Sequence, residues 1–219
     1  MIKSIEIPKY SFSEELISAI SHGFGAGLAV SACVLGVVKA VCDLASVGAA
    51  GIVSAAVFGL TMIMLYCMST IYHALPVGNA KRVFRVIDHC SVFLLIAGTY
   101  TPYALVSLRG ALGWTVFGVI WVLTAIGIVY NAIDVDKFEN VSTIKNLGMG
   151  WLCVFTARYL SASIGRTGML LLIAGGVVYS LGAILYKLGD KIRYMHSIFH
   201  FFVLGGSILH FFSIYLTVL

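Results

Sequence analysis

Apolar runs of about spanning length recur along almost the whole chain. They constrain its fold more than any other feature, because a backbone buried in lipid must satisfy its own hydrogen bonds. Seven can be drawn, roughly at 22–41, 49–72, 87–106, 112–132, 144–160, 168–186 and 196–219. Short loops bearing glycine, proline or charge separate them and leave no room for a soluble domain. The expectation is an all-α, polytopic membrane protein: one domain over residues 1–219, built as a seven-transmembrane-helix bundle. The fifth run is the least regular, because Thr143, Lys145 and Asn146 blur its start. Composition agrees, with 60% of residues apolar and 11% charged, far from the usage of soluble domains.

Residues 1–18 mix Lys3, Glu6, Lys9, Glu14 and Glu15, which is no cleavable signal peptide. The first span is therefore expected to direct insertion. Residues 1–20 read as a short cytoplasmic or interfacial segment. Within it Ser11 and Glu14 have capping-box spacing, which predicts a short amphipathic helix running into the first span.

The net charge of +5 comes from 14 basic residues dispersed among loops, and without a basic patch nucleic-acid binding is excluded. Ten of them fall on the side of the N-terminus: Lys3, Lys9, Lys81, Arg82, Arg85, Lys137, Lys145, Lys187, Lys191 and Arg193. Only Lys39, Arg109, Arg158 and Arg166 fall on the other. The positive-inside rule then puts the N-terminus in the cytoplasm and the C-terminus outside, for a multi-pass protein of the inner (plasma) membrane. A G-protein-coupled receptor runs the other way. Five scattered cysteines form no C-x-x-C pair and read as structural thiols. Pro102 is expected to end or bend the third helix.

The polar residues inside the runs are few and cluster by depth. His196 and His200 lie one helical turn apart, about 6 Å along the axis, a spacing that lets one metal ion take both. Ser69 and His73 repeat that spacing at the end of the second run, and Asp88 opens the third. With alternating spans, all five converge on the cytoplasmic leaflet. Ionisable groups within spans are costly and mark functional sites. Three imidazoles and a carboxylate have the form of a catalytic Zn2+ site with an open position. Asp88 is expected to bind the metal directly or through water, and Ser69 to orient that water or a substrate carbonyl. Too few histidines are present for a di-iron oxygenase, and a haem would more naturally take one histidine per helix. His210, ten residues beyond His200, is about 15 Å deeper and reads as a hydrogen-bonded packing residue. His22 and His89 are open between packing and support of the metal ligands.

The order of motifs resembles one family over essentially the whole chain. Glu14-Glu15 with Ser21-His22-Gly23, then Ser69 to His73, Asp88-His89, Ala97 to Pro102, and His196 to His200 followed by Gly206-Ser207 and His210 are similar to the bacterial hemolysin III proteins. These are the bacterial branch of the progestin and adipoQ receptor family, which includes the adiponectin receptors. The resemblance implies seven helices, an internal N-terminus, zinc on His73, His196 and His200, and a carboxylate, Asp88, holding the zinc-bound water. It also implies a place for Ser69 as the family's serine, and a relation to ceramide-cleaving enzymes. The expected function is a zinc-dependent hydrolase of a membrane lipid amide or ester. The alternatives are a non-catalytic receptor or regulator with structural zinc, and a hemolysin-like cytolytic membrane protein. The last needs a polar stripe through several spans, whereas the polar groups here gather at one end.

Overall fold

A computed structural model describes residues 5–219, apart from the side chains of residues 139 and 140. Lys3 and the start of the expected interfacial segment lie outside the described residues. The α-helices are α1 (Phe12–Cys42), α2 (Leu44–Ala74), α3 (Asn79–Pro102), α4 (Gly110–Ile133), α5 (Val135–Trp151), α6 (Ala157–Leu188) and α7 (Met195–Thr217). A π-helical segment, Tyr103–Leu108, continues α3, and a 3-10 turn, Leu152–Thr156, joins α5 to α6. Among the described residues, six stretches are long and apolar enough to cross a membrane. Hydrophobic side chains face outward along their lengths, as lipid allows and water does not.

The helix starts follow from local chemistry. At Ser11 the capping box forms in full: its side chain accepts from the Glu14 amide and the Glu14 carboxylate takes the Ser11 amide. The amphipathic start is not a separate interfacial helix but the first turns of one continuous 31-residue α1. Pro102 occupies the last α-helical position of α3, as expected, and the chain continues beyond it in wider π turns.

The expected fifth and sixth runs fall within a single 48-residue apolar stretch, Val141–Leu188. No proline interrupts it. Its break is Gly165, whose φ of 64° and ψ of −172° are non-helical and favour a residue without Cβ. The same conformation at Gly48 kinks α2 near its start.

Residues 5–14 and residues 217–219 pack at opposite ends of the bundle. Residues Ile5 to Glu14 lie against Arg82, Arg85, Asp136 and Tyr194. At the far end Leu219 lies beside Gly36 and Thr217 beside Gly168. Arg109 there donates to the Ser46 carbonyl, joining the α1–α2 and α3–α4 connections.

Several basic residues counted as loop charges are buried. Lys81 is 1% exposed and donates to the carbonyls of Tyr72 and Leu75, closing the C-terminal end of α2. Arg85 is 3% exposed and pairs with Asp136. Both are held by protein partners rather than by lipid headgroups. The five cysteines are all unpaired, and only Cys90 is fully buried.

Candidate metal centre

The site is assembled by α1, α2, α3 and α7 at the end where the N-terminal segment packs. Its frame is the α1–α7 seam. Tyr194, left-handed at φ 66°, caps α7 and donates its amide to Glu14 Oε1 at 2.7 Å. A carboxylate at a helix N-terminus also meets the positive end of the helix dipole. One turn on, Ser197 donates to the Glu14 carbonyl and Ser18 donates to Ser197. These bonds fix the first turn of α7, which carries His196 and His200, against α1.

His73 reaches the same point from the last turn of α2. The three imidazoles are buried, and their ligand atoms lie within 4.8 Å of one another. His196 Nε2 and His200 Nε2 are 3.2 Å apart. A tetrahedral zinc with nitrogens at 2.0–2.1 Å separates them by about 3.3 Å. Ring centroids are 4.7, 5.0 and 5.3 Å apart for the three pairs, again the spread of imidazoles around one ion. His73 Nδ1 donates to Glu15 Oε2 at 2.7 Å, which leaves Nε2 buried without a hydrogen-bond partner. A buried unpartnered nitrogen is costly. A metal ion in the cluster removes that cost, so the donor set fits zinc, and the three histidines can hold a metal ion.

Glu15 was not singled out as a ligand partner from the sequence. It bridges His73 to Lys81, whose Nζ is 2.8 Å from Glu15 Oε1. The signal was present, since Glu15 sits one heptad before His22 and so on the same face of α1. Carboxylates that accept from a ligating imidazole fix its tautomer and orientation. If the three histidines hold a metal ion, Glu15→Gln is expected to weaken its binding by roughly 10- to 100-fold, read by competition with a chelator of known affinity.

His22 resolves toward the site. It is 3% exposed, and its ring centroid is 3.9 Å from that of His200. That is closer than two imidazoles on one ion would sit, so His22 packs on a candidate ligand rather than joining the set. His210 is the packing histidine expected, bonded through Nε2 to the Leu172 carbonyl. His89 faces Tyr186, with ring centroids 6.3 Å apart.

Asp88 and Ser69 lie outside the three-histidine group but line the same cavity, and the Ser69 side chain is a hydrogen-bond partner of Asp88. The cavity holds about 210 Å³ and starts at Asp88, His196 and His200. Along α3 its wall is Asp88, Val92, Leu95, Ile96, Thr99 and Tyr103, one face of a helix with 3.6-residue periodicity. By helical rise that wall is about 22 Å long. Faces of α5, α6 and α7 contribute to the rest of it, through residues such as Leu147, Trp151, Tyr179, Phe199 and Val203. The result is a mostly apolar channel with Asp88, His196 and His200 among its polar lining residues.

A family model described as Haemolysin-III related matches residues 10–211. Hemolysin-3 of Bacillus cereus is 40% identical over 207 residues, covering 94% of this chain and 92% of the relative. Hemolysin-3 homolog of Bacillus subtilis (strain 168) is 40% identical over 206 residues, with 94% of each covered. The human Monocyte to macrophage differentiation factor is 27% identical over 171 residues, covering 74% of this chain and 69% of the relative. With its membrane-length helices in place and the family match running through both α1 and α7, this chain belongs to the haemolysin III family.

Proposed function

We propose that the chain is a zinc-binding membrane protein that crosses the bilayer seven times and hydrolyses an amide or ester of a membrane lipid. The observation that carries the reading is the junction of two unlike things: three convergent buried imidazoles and a long apolar channel that begins beside them. Metal chemistry belongs where a scissile carbonyl sits, and the channel suits the acyl chain attached to it.

When bound, zinc supplies Lewis acidity, polarising a carbonyl oxygen and lowering the pKa of a water to about 7. His73, His196 and His200 would hold it. Asp88 takes the proton of the attacking water and returns it to the departing amine or alcohol. Ser69 orients the Asp88 carboxylate. The faces of α3, α6 and α7 exclude bulk water and seat the acyl chain.

Seven crossings are supported by the packing of residues 5–14 and 217–219 at opposite ends of the bundle, which requires an odd number, and by Gly165, which divides the 48-residue stretch. With the N-terminus cytoplasmic, a reporter fused after Leu219 is expected to be active only outside the cytoplasm. Cytoplasmic activity would reverse the assignment.

Lipid profiles of membranes with and without the chain test the activity. Loss of one amide- or ester-linked lipid, with matching release of free fatty acid, is the expected result. Unchanged profiles, together with a metal-dependent rise in thermal stability, would instead favour a regulator in which zinc only ties α2 to α7.

A further inference from the structure

The residues before α1 cross the face of the histidine cluster. Two anchors hold this strap. On one side Arg82 Nε donates to the Ile5 carbonyl at 3.0 Å, Arg85 to the Glu6 carbonyl at 3.0 Å, and the Glu6 amide to Asp136 Oδ2 at 3.0 Å. On the other side Ser11 caps α1, and Glu14 binds the Tyr194 amide. The first anchor ties the strap to α3 and the first turn of α5, the second to α7. Between them the chain turns at Pro8, whose carbonyl accepts from the Tyr10 amide.

That turn brings Tyr10 onto the ligands. Its ring stacks on His196, with centroids 4.6 Å apart and planes 22° from parallel. It also lies 6.2 Å from the ring of His73. Two of the three candidate ligands thus have the same aromatic side chain against them. His196 is 8% exposed and His73 is 3% exposed although both belong to the first or last turn of a helix at the aqueous end.

We propose that residues 5–11 are a lid on the metal centre and that Tyr10 is its plug, so that metal enters and leaves the histidines only when the strap lifts. This rests on the assignment of a metal to His73, His196 and His200. The lid separates two routes: metal exchanges through the strap on the aqueous side, while an acyl chain occupies the channel that runs the other way, along α3. Tyr10 is a positioning residue, acting through His196 by holding its ring in the plane that aims Nε2 at the cluster.

The test compares purified wild type with Tyr10→Ala, Tyr10→Phe and Arg82→Gln. The first removes the plug, the second keeps the stacking ring, and the third loosens an anchor without touching a ligand. Zinc-loaded protein is mixed with excess chelator and the release rate followed. Tyr10→Ala is expected to release zinc about tenfold or more faster, at the low end of the effect of losing a residue that supports a ligand. Arg82→Gln should shift in the same direction by less, and Tyr10→Phe should stay within about twofold of wild type. In parallel, metal-stripped protein is treated with diethyl pyrocarbonate, and modification of His196 is timed by peptide mass spectrometry. Faster modification in Tyr10→Ala and Arg82→Gln supports the lid whether or not zinc binds. Wild-type rates for both variants in both assays would overturn it. A wild type that takes up no zinc would overturn the metal assignment, leaving the modification rates to judge the strap.

Discussion

Replacing His196 and His200 together with alanine is expected to take the bound zinc from about one ion per chain to none. Two of three nitrogens are lost, and His73 alone cannot hold the ion against buffer or chelator. The loss should reach the fold as well, since the proposed ion would join the last turn of α2 to the first of α7. A ligand present at a hundred times its dissociation constant stabilises the state it binds by about 2.7 kcal/mol. The variant should therefore unfold at the temperature of metal-stripped wild type, and added zinc should raise the melting point of wild type only. Metal analysis of the purified proteins, with thermal melts in detergent, reads both effects. Full zinc retention in the double variant would remove His196 and His200 from the site.

The second large effect is expected at Asp88. Asp88→Asn keeps the shape of the side chain and its contact with Ser69 but cannot accept the proton of water. Lipid hydrolysis should fall by roughly 10²- to 10⁴-fold, the usual contribution of a general base. Zinc content should stay at the wild-type level, because Asp88 lies outside the group whose ligand atoms converge within 4.8 Å. Measuring hydrolysis and metal on the same preparation separates two roles. If zinc and activity are lost together, Asp88 is a direct ligand. If both are kept, Asp88 has no part in the chemistry.

Much of the arrangement was legible in the sequence because membrane helices are written in long apolar runs and their rare polar residues stand out against them. His73, His196 and His200 could be placed at one depth from span alternation alone, and the structure brings them together. Helix boundaries were less legible. The gap drawn between 160 and 168 does hold the non-helical Gly165, but α5 begins at Val135, nine residues before the run drawn from 144, because its first turns are polar and carry no apolar signal. The contact of Glu15 with His73, and Tyr10 altogether, were not legible for another reason. Both residues precede the first apolar run, where charged and aromatic residues look like interface anchors, and only the packing of residues 5–15 back across α3 and α7 puts them beside the imidazoles. The buried state of Lys81 and Arg85 was hidden likewise, since a basic residue next to a span reads as a headgroup contact until its carbonyl and carboxylate partners are seen.

X-ray absorption at the zinc edge on protein purified under zinc-replete conditions bears most directly on the central claim. The account predicts a single zinc environment of nitrogen and oxygen ligands at about 2.0–2.1 Å, with imidazole scattering from about three rings that disappears when His196 and His200 are replaced. An absent zinc signal, or a first shell of sulfur at about 2.3 Å, would contradict it.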